Sequence, residues 1–187
     1  MRRLGMFMHV SLDGYYADTD GDMSWGHDGS DDPEWQAFVA ANAASDAVLV
    51  FGRLTYQMMV GYWPTPTAAA QNPQVAARMN AATKVVFSRS LKSADWHNTT
   101  LIGGDIVAAT RNLKAATGPD LAILGSGSIV GQLAAAALID DYQIVVNPLA
   151  LGAGRALFGG LNEPLALRLT STRAFDNGKV LLCYAPT

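Results

Sequence analysis

The uncharged stretch Leu121–Ile139, LAILGSGSIVGQLAAAALI, constrains the fold more than any other segment of the chain. Its 19 residues match a membrane span by length. Its interior, Gly125-Ser126-Gly127-Ser128, instead divides it into a short apolar run and an alanine-rich run. A short run without polar alternation, a glycine turn and a helix make the repeating unit of a parallel sheet covered on both faces.

The same unit recurs along the chain. Strands are predicted at Leu4–Val10, Ala47–Phe51, Lys84–Phe87, Thr99–Ile102, Leu121–Leu124 and Tyr142–Val146. Helices are predicted from Pro33 to about Ala44, over Leu54–Val60, over Ala68–Ala82 apart from Pro73, and over Asp105–Ala116 and Ser128–Leu138. Asp32 is the expected N-cap of the first helix, with Pro33 at its first position. The tail differs in style. Leu165–Thr172 and Lys179–Ala185 read as strands, with Asp176-Asn177-Gly178 as a hairpin-type turn between them. The expectation is one α/β domain over residues 1–187, three layers deep (α/β/α), with a mostly parallel central sheet and an antiparallel C-terminal hairpin. Half the residues are hydrophobic, enough for a sizeable core.

Charge and cysteine content exclude several classes. A net charge of −3 argues against nucleic-acid binding through bulk charge. One cysteine, Cys183, excludes a disulfide framework or a thiolate metal cluster. The opening MRRLGMFMHV reads as a strand rather than a leader, and a cytoplasmic location is expected, with no membrane partner. Eight of the 16 acids fall between Asp13 and Glu34, and no Lys or Arg occurs over Leu4–Gly52. Asp18-Thr19-Asp20-Gly21-Asp22 suggests a calcium loop, but Met23 and Gly29 stand where the EF-hand needs glycine and glutamate. His9, His27 and His97 have no metal-ligand spacing, so no metal is expected.

Three motifs carry chemistry. In Gly125–Gly131 a strand ends, glycines follow and a helix begins. Glycine lets backbone N–H groups approach an anion, and the helix N-terminus adds partial positive charge. Gly125, Ser126, Gly127, Ser128, Ile129 and Gly131 are therefore candidates for holding phosphate. In the run FGRLTY, Gly52 permits a tight strand-to-helix turn, and Arg53 and Thr55 occupy the first helical turn. In VVFSRS, Ser88 and Arg89 follow a parallel strand at its carboxyl end, where open α/β sheets bind ligands. A guanidinium fork suits a phosphate such as the one that distinguishes NADP from NAD.

These motifs, with Ser11-Leu12-Asp13-Gly14-Tyr15-Tyr16-Ala17, Leu138–Asp141, Asn147-Pro148, Leu151–Phe158 and Asn177–Val180, resemble the dihydrofolate reductase-like superfamily. The closest resemblance is to single-domain relatives of the reductase domain of the bacterial riboflavin-biosynthesis deaminase-reductase. It implies an NADPH-dependent reductase transferring hydride to a pteridine- or pyrimidine-like small molecule. By position, Gly52–Thr55 and Ser126–Gly131 would hold the dinucleotide phosphates, and Ser88 and Arg89 would face the 2′-phosphate. Asp13 would border the nicotinamide, and Ser24 and Trp25 would line the substrate pocket. Asp31, Asp32 and Glu34 are the candidate proton donors, left open among the three. The chain departs from the riboflavin reductases in lacking basic residues over Leu4–Gly52 and in carrying Leu124 where a glutamate is usual. A protein of the same fold that binds NADPH or a flavin-like ligand without turnover is the competing expectation. The apolar tail strand, with Val180, Leu181, Leu182 and Tyr184, leads to the expectation of a homodimer.

Overall fold

The computed structural model describes residues 1–26 and 32–187. In chain order the strands are β1 Leu4–Val10, β2 Tyr15–Ala17, β3 Val48–Gly52, β4 Lys84–Phe87, β5 Thr99–Ile102, β6 Leu121–Leu124, β7 Asp141–Val146, β8 Arg155–Ala156, β9 Leu167–Ala174 and β10 Val180–Pro186. The helices are α1 Pro33–Ala43, α2 Arg53–Tyr62, α3 Pro66–Gln71, α4 Pro73–Ala81, α5 Ile106–Ala115 and α6 Gly127–Ala135, with a 3-10 turn at Ser24–Gly26.

The central sheet runs β5-β4-β3-β6-β1-β7-β10-β9. From β5 to β7 all pairs are parallel, while β10 runs antiparallel to both β7 and β9. This is a mixed α/β architecture with a mostly parallel sheet and an antiparallel hairpin at one end. Strands β3 and β4 are buried throughout, which explains why they read as continuous apolar runs rather than alternating ones.

Alternate side chains divide between two apolar layers. Leu4, Met6, Met8 and Val10 of β1 pack with Ile129, Val130 and Leu133 of α6. On the opposite face, Leu49 and Phe51 of β3 meet Tyr56 of α2, Met79 of α4 and Trp96. Trp35 and Phe38 of α1 cover Val145, Leu181 and Phe175 on that side. Lys84 is the exception inside β4. Its ammonium donates to the carbonyls of Asn80, Ala82 and His97 and lies 4.3 Å from the Trp96 ring centre. Burial lowers its pKa to about 8.

Several local expectations need correction. Pro73 divides the predicted Ala68–Ala82 helix into α3 and α4, each opened by its own proline, since proline lacks the N–H that would continue the ladder. The segment after β1, for which no strand is predicted, contains β2, which pairs with β8. Neither strand is long enough to show a period in sequence. The apolar tail strand is not the sheet edge. Leu181 of β10 is buried beneath Trp35 and Phe175, and the free edge is β9, an exposed and largely polar strand.

Candidate active site

All six parallel strands end on one rim, and the sheet order sets the neighbours there. Ser88 follows β4, Gly52 closes β3, Gly125 follows β6 and Ser11 follows β1. Three inter-strand spacings separate β4 from β1, about 14 Å. The three loops singled out in the sequence therefore lie side by side.

Two of them are tied together. The Gly52 N–H donates to the Ser126 hydroxyl at 2.7 Å, and that hydroxyl donates to Thr55 Oγ1, also at 2.7 Å. Ser126 and Thr55 are both buried. A side chain at Gly52 would press on Ile129 and the Ser126 hydroxyl, at 3.2 and 3.3 Å. Ser126 itself adopts φ 68°, in the left-handed region, following Gly125 at φ 64°. The Ser126 and Thr55 hydroxyls thus join α2 to α6 rather than facing outward.

The groups left open are backbone donors. Helices α1 and α5 are capped by Asp32 and Asp105, each accepting two N–H groups of the first turn. Among the described residues, neither α2 nor α6 has a side-chain cap. Both begin on the rim, next to each other, with the partial positive charge of their first turns unneutralised. Ser128 is exposed at the start of α6. Arg53 is exposed on α2 and donates to Gln57 at 3.0 Å. Ser88 accepts the N–H groups of Ser90 and Leu91, which shapes the turn carrying the exposed Arg89.

Beyond β6 the rim is built around Asp13. Its carboxylate accepts the Ser11 hydroxyl at 2.6 Å and the N–H groups of Leu151 and Gly152 at 3.1 and 2.7 Å. The Ser11 hydroxyl first, then these backbone bonds, hold its pKa down to about 2. Asp13 thereby fastens the loop after β1 to the loop after β7, and the β2–β8 pair grows from that junction.

Ser24 is exposed and bonded to Asp22, and the Trp25 indole donates to the Asp22 carbonyl at 3.2 Å. This turn lies against His9, since a side chain on Gly26 would come within 3.1 Å of the His9 Cβ. Of the acids, Asp31 lies outside the described residues. Asp32 caps α1 and also accepts the Asn177 N–H at 3.1 Å. Burial would raise its pKa, but the N–H groups of Trp35, Asn177 and Glu34 outweigh it and keep the carboxyl below its usual range. That is the opposite of what a proton donor near neutrality needs. Glu34 pairs with Arg173 at 3.0 Å, both side chains being exposed.

A polar group beneath the rim was not legible from spacing. Buried Asn147, just past β7, donates to the Val10 carbonyl at 3.0 Å, and its amide nitrogen lies 3.4 Å from His9 Nδ1. Its oxygen accepts from the Lys179 ammonium, which lies 5.5 Å from the Trp35 ring centre. Lys179 thus supplies, from the far end of the chain, a cation that Leu4–Gly52 lacks. An ammonium can only donate, so it fixes the orientation of the Asn147 amide. Among the described residues, no three metal-ligating side chains gather, and no helix is long and apolar enough to cross a membrane.

A match to the RibD C-terminal domain spans residues 2–181. The chain belongs to this family. It is 30% identical over 176 residues to YwjB, an uncharacterized protein of Bacillus subtilis (strain 168), covering 93% of this chain and 92% of that one. Among solved structures it is similar to a diaminohydroxyphosphoribosylaminopyrimidine deaminase/5-amino-6-(5-phosphoribosylamino)uracil reductase from Thermotoga maritima. The TM-score is 0.70 at 16% identity, with all of this chain and 57% of that one covered. It is also similar to the dihydrofolate reductase of Enterococcus faecalis complexed with NADP(H), with a TM-score of 0.64 at 13% identity over 99% and 96% of the chains. These likenesses show that the RibD C-terminal fold here is the dihydrofolate reductase-like one.

Proposed function

We propose that this chain is an NADPH-dependent reductase of a small pteridine- or pyrimidine-like heterocycle. The observation that carries the reading is the adjacent pair of uncapped helix N-termini on the rim, α2 and α6, joined through Gly52, Ser126 and Thr55. Two neighbouring helix starts that no anion of the described residues caps make a fitting seat for a diphosphate. The exposed Arg89 at the next strand end supplies a fork for a 2′-phosphate. Membership in the RibD C-terminal family supports the same assignment.

When bound, the coenzyme would supply hydride. The chain's own groups bind and orient. The N–H groups opening α2 and α6 hold phosphate, with Arg53 and Ser128 at the edges of that seat. Ser88 shapes the turn that presents Arg89. Asp13 fixes the wall beside β1, and the Ser24–Gly26 turn with Trp25 closes the substrate side over His9. Asp32 and Glu34 serve by anchoring α1 to the β9–β10 hairpin. The absence of Lys and Arg over Leu4–Gly52, with Lys179 buried and bonded to Asn147 beneath the rim, favours a substrate without a sugar phosphate on that side. We place the enzyme in the cytoplasm, working as a homodimer.

The test is turnover. Protein and NADPH are mixed with candidate pterins, flavins and pyrimidines while the reduced-nicotinamide absorbance is followed. Loss of absorbance with any of them supports the reductase reading. NADPH binding without turnover across the whole set would replace it with the binding-only reading.

A further inference from the structure

Asp32 caps α1 and Glu34 pairs with Arg173, so neither acid is placed as a donor to substrate. On β1 the polar side chain on the α1 face is His9, one residue before the strand ends and half-buried beneath the Ser24–Gly26 turn. Its ring stands edge-on to two neighbours, Trp35 at 5.8 Å and Phe7 at 5.3 Å between ring centres, with interplanar angles of 84° and 87°. This T-shaped packing sets the plane of the imidazole. The remaining choice is which ring nitrogen carries the proton.

That choice is made by residues just past β7 and just before β10. Lys179, 5% exposed, donates its ammonium to the Asn147 side-chain oxygen and lies 3.5 Å from the Gly26 carbonyl. An ammonium has no lone pair, so the Asn147 oxygen turns toward it and the amide nitrogen turns away. That nitrogen donates to the Val10 and Val145 carbonyls at 3.0 and 3.3 Å and stands 3.4 Å from His9 Nδ1. Asn147 is 0% exposed, so bulk water does not compete for these contacts. A hydrogen on Nδ1 would point at the amide hydrogens. Nδ1 therefore keeps its lone pair, and the ring carries its proton on Nε2. We propose that His9 recognises the heterocycle: its Nε2–H donates to a lone pair on the substrate ring, a carbonyl oxygen or a nitrogen without hydrogen, and Asn147 and Lys179 are positioning residues that hold the imidazole in that form. This rests on the reductase reading and deepens it, since it requires a substrate that presents an acceptor toward β1.

Ring NMR and turnover test this together. The ring nitrogens of protein carrying isotope-labelled histidine are observed near neutral pH, and the His9 signals are identified by their loss in His9→Phe. Wild type is expected to show Nδ1 bare and Nε2 protonated. Lys179→Met, which frees the amide to turn, is expected to show a mixture of the two tautomers. Turnover is followed with whichever pterin, flavin or pyrimidine the wild type reduces with NADPH. His9→Phe, which keeps the aromatic packing, is expected to lose roughly tenfold or more in kcat/KM. His9→Gln, which restores an N–H near the Nε2 position, is expected to return to within about threefold of wild type, and NADPH affinity to stay within about twofold in both. A wild-type ring protonated on Nδ1, unchanged kcat/KM in His9→Phe, or His9→Gln as impaired as His9→Phe would each overturn the inference while the reductase reading stands. A Lys179→Met ring identical to wild type would overturn the positioning roles. If wild type reduces none of the set, the reductase reading fails and this inference fails with it.

Discussion

The Ser126 hydroxyl accepts the Gly52 N–H across a sequence separation of 74 residues, and it does so from a left-handed backbone conformation. That conformation costs a non-glycine residue about 1–2 kcal/mol, so the hydroxyl must return more than glycine's freedom would. Ser126→Ala leaves a buried N–H without a partner and keeps the strain. It is expected to destabilise by about 1–3 kcal/mol, lowering Tm by several degrees in thermal denaturation. Ser126→Gly relieves the strain and is expected to fall between the two. An alanine variant as stable as wild type would show that the joint between α2 and α6 contributes nothing.

Arg89→Ala tests the 2′-phosphate assignment. Loss of a charged hydrogen bond is worth about 1.5–3 kcal/mol, so NADPH affinity is expected to fall roughly tenfold or more while NADH affinity barely changes. Fluorescence titration of the reduced nicotinamide measures both. Equal losses would remove Arg89 from the phosphate and leave it a surface arginine.

The Asp13 junction predicts a pH signature. Its folded pKa of about 2 lies below the ordinary carboxylate value, so the ionised form is favoured by folding. Its contribution is complete above about pH 4 and is lost as pH falls through about 2. In urea unfolding, the stability gap between wild type and Asp13→Asn should be constant above about pH 4 and shrink toward pH 2. A gap that does not change over that window would contradict the bonding described.

Much of this rim could be read in the sequence because its elements announce themselves locally. Apolar runs of β3 and β4 mark strands buried on both faces, and the glycines at the ends of β3 and β6 mark tight turns. Asp32 and Pro33 mark the start of α1 by chemistry confined to adjacent residues. What could not be read depends on distant partners. Asn147 and Lys179 become a pair only because β10 folds back beside β7. Tyr16 is one of two consecutive tyrosines, and only the β2–β8 pairing decides that its ring lands on Gly127. Asp32 has the right residue type for an acid, but the Asn177 N–H that helps keep it ionised arrives from the far hairpin.

The free edge of β9 bears on assembly. It presents unpaired backbone groups with Leu169 49% exposed, and an open edge invites pairing with a second copy. Light scattering at micromolar concentration should give a dimer mass. Pro in place of Thr170, which removes a backbone donor on that strand, is expected to shift the mass toward the monomer. A monomeric wild type would refute the assembly.

Hydrogen exchange with and without NADPH addresses the central claim most directly, because it reports on the backbone N–H groups themselves. NADPH is expected to slow exchange in Arg53–Thr55, Arg89 and its neighbours, and Gly127–Ile129, with little change in α3, α4 or β9. Protection centred on α3, α4 or β9, or none at these helix starts, would contradict the seating of a dinucleotide on this rim.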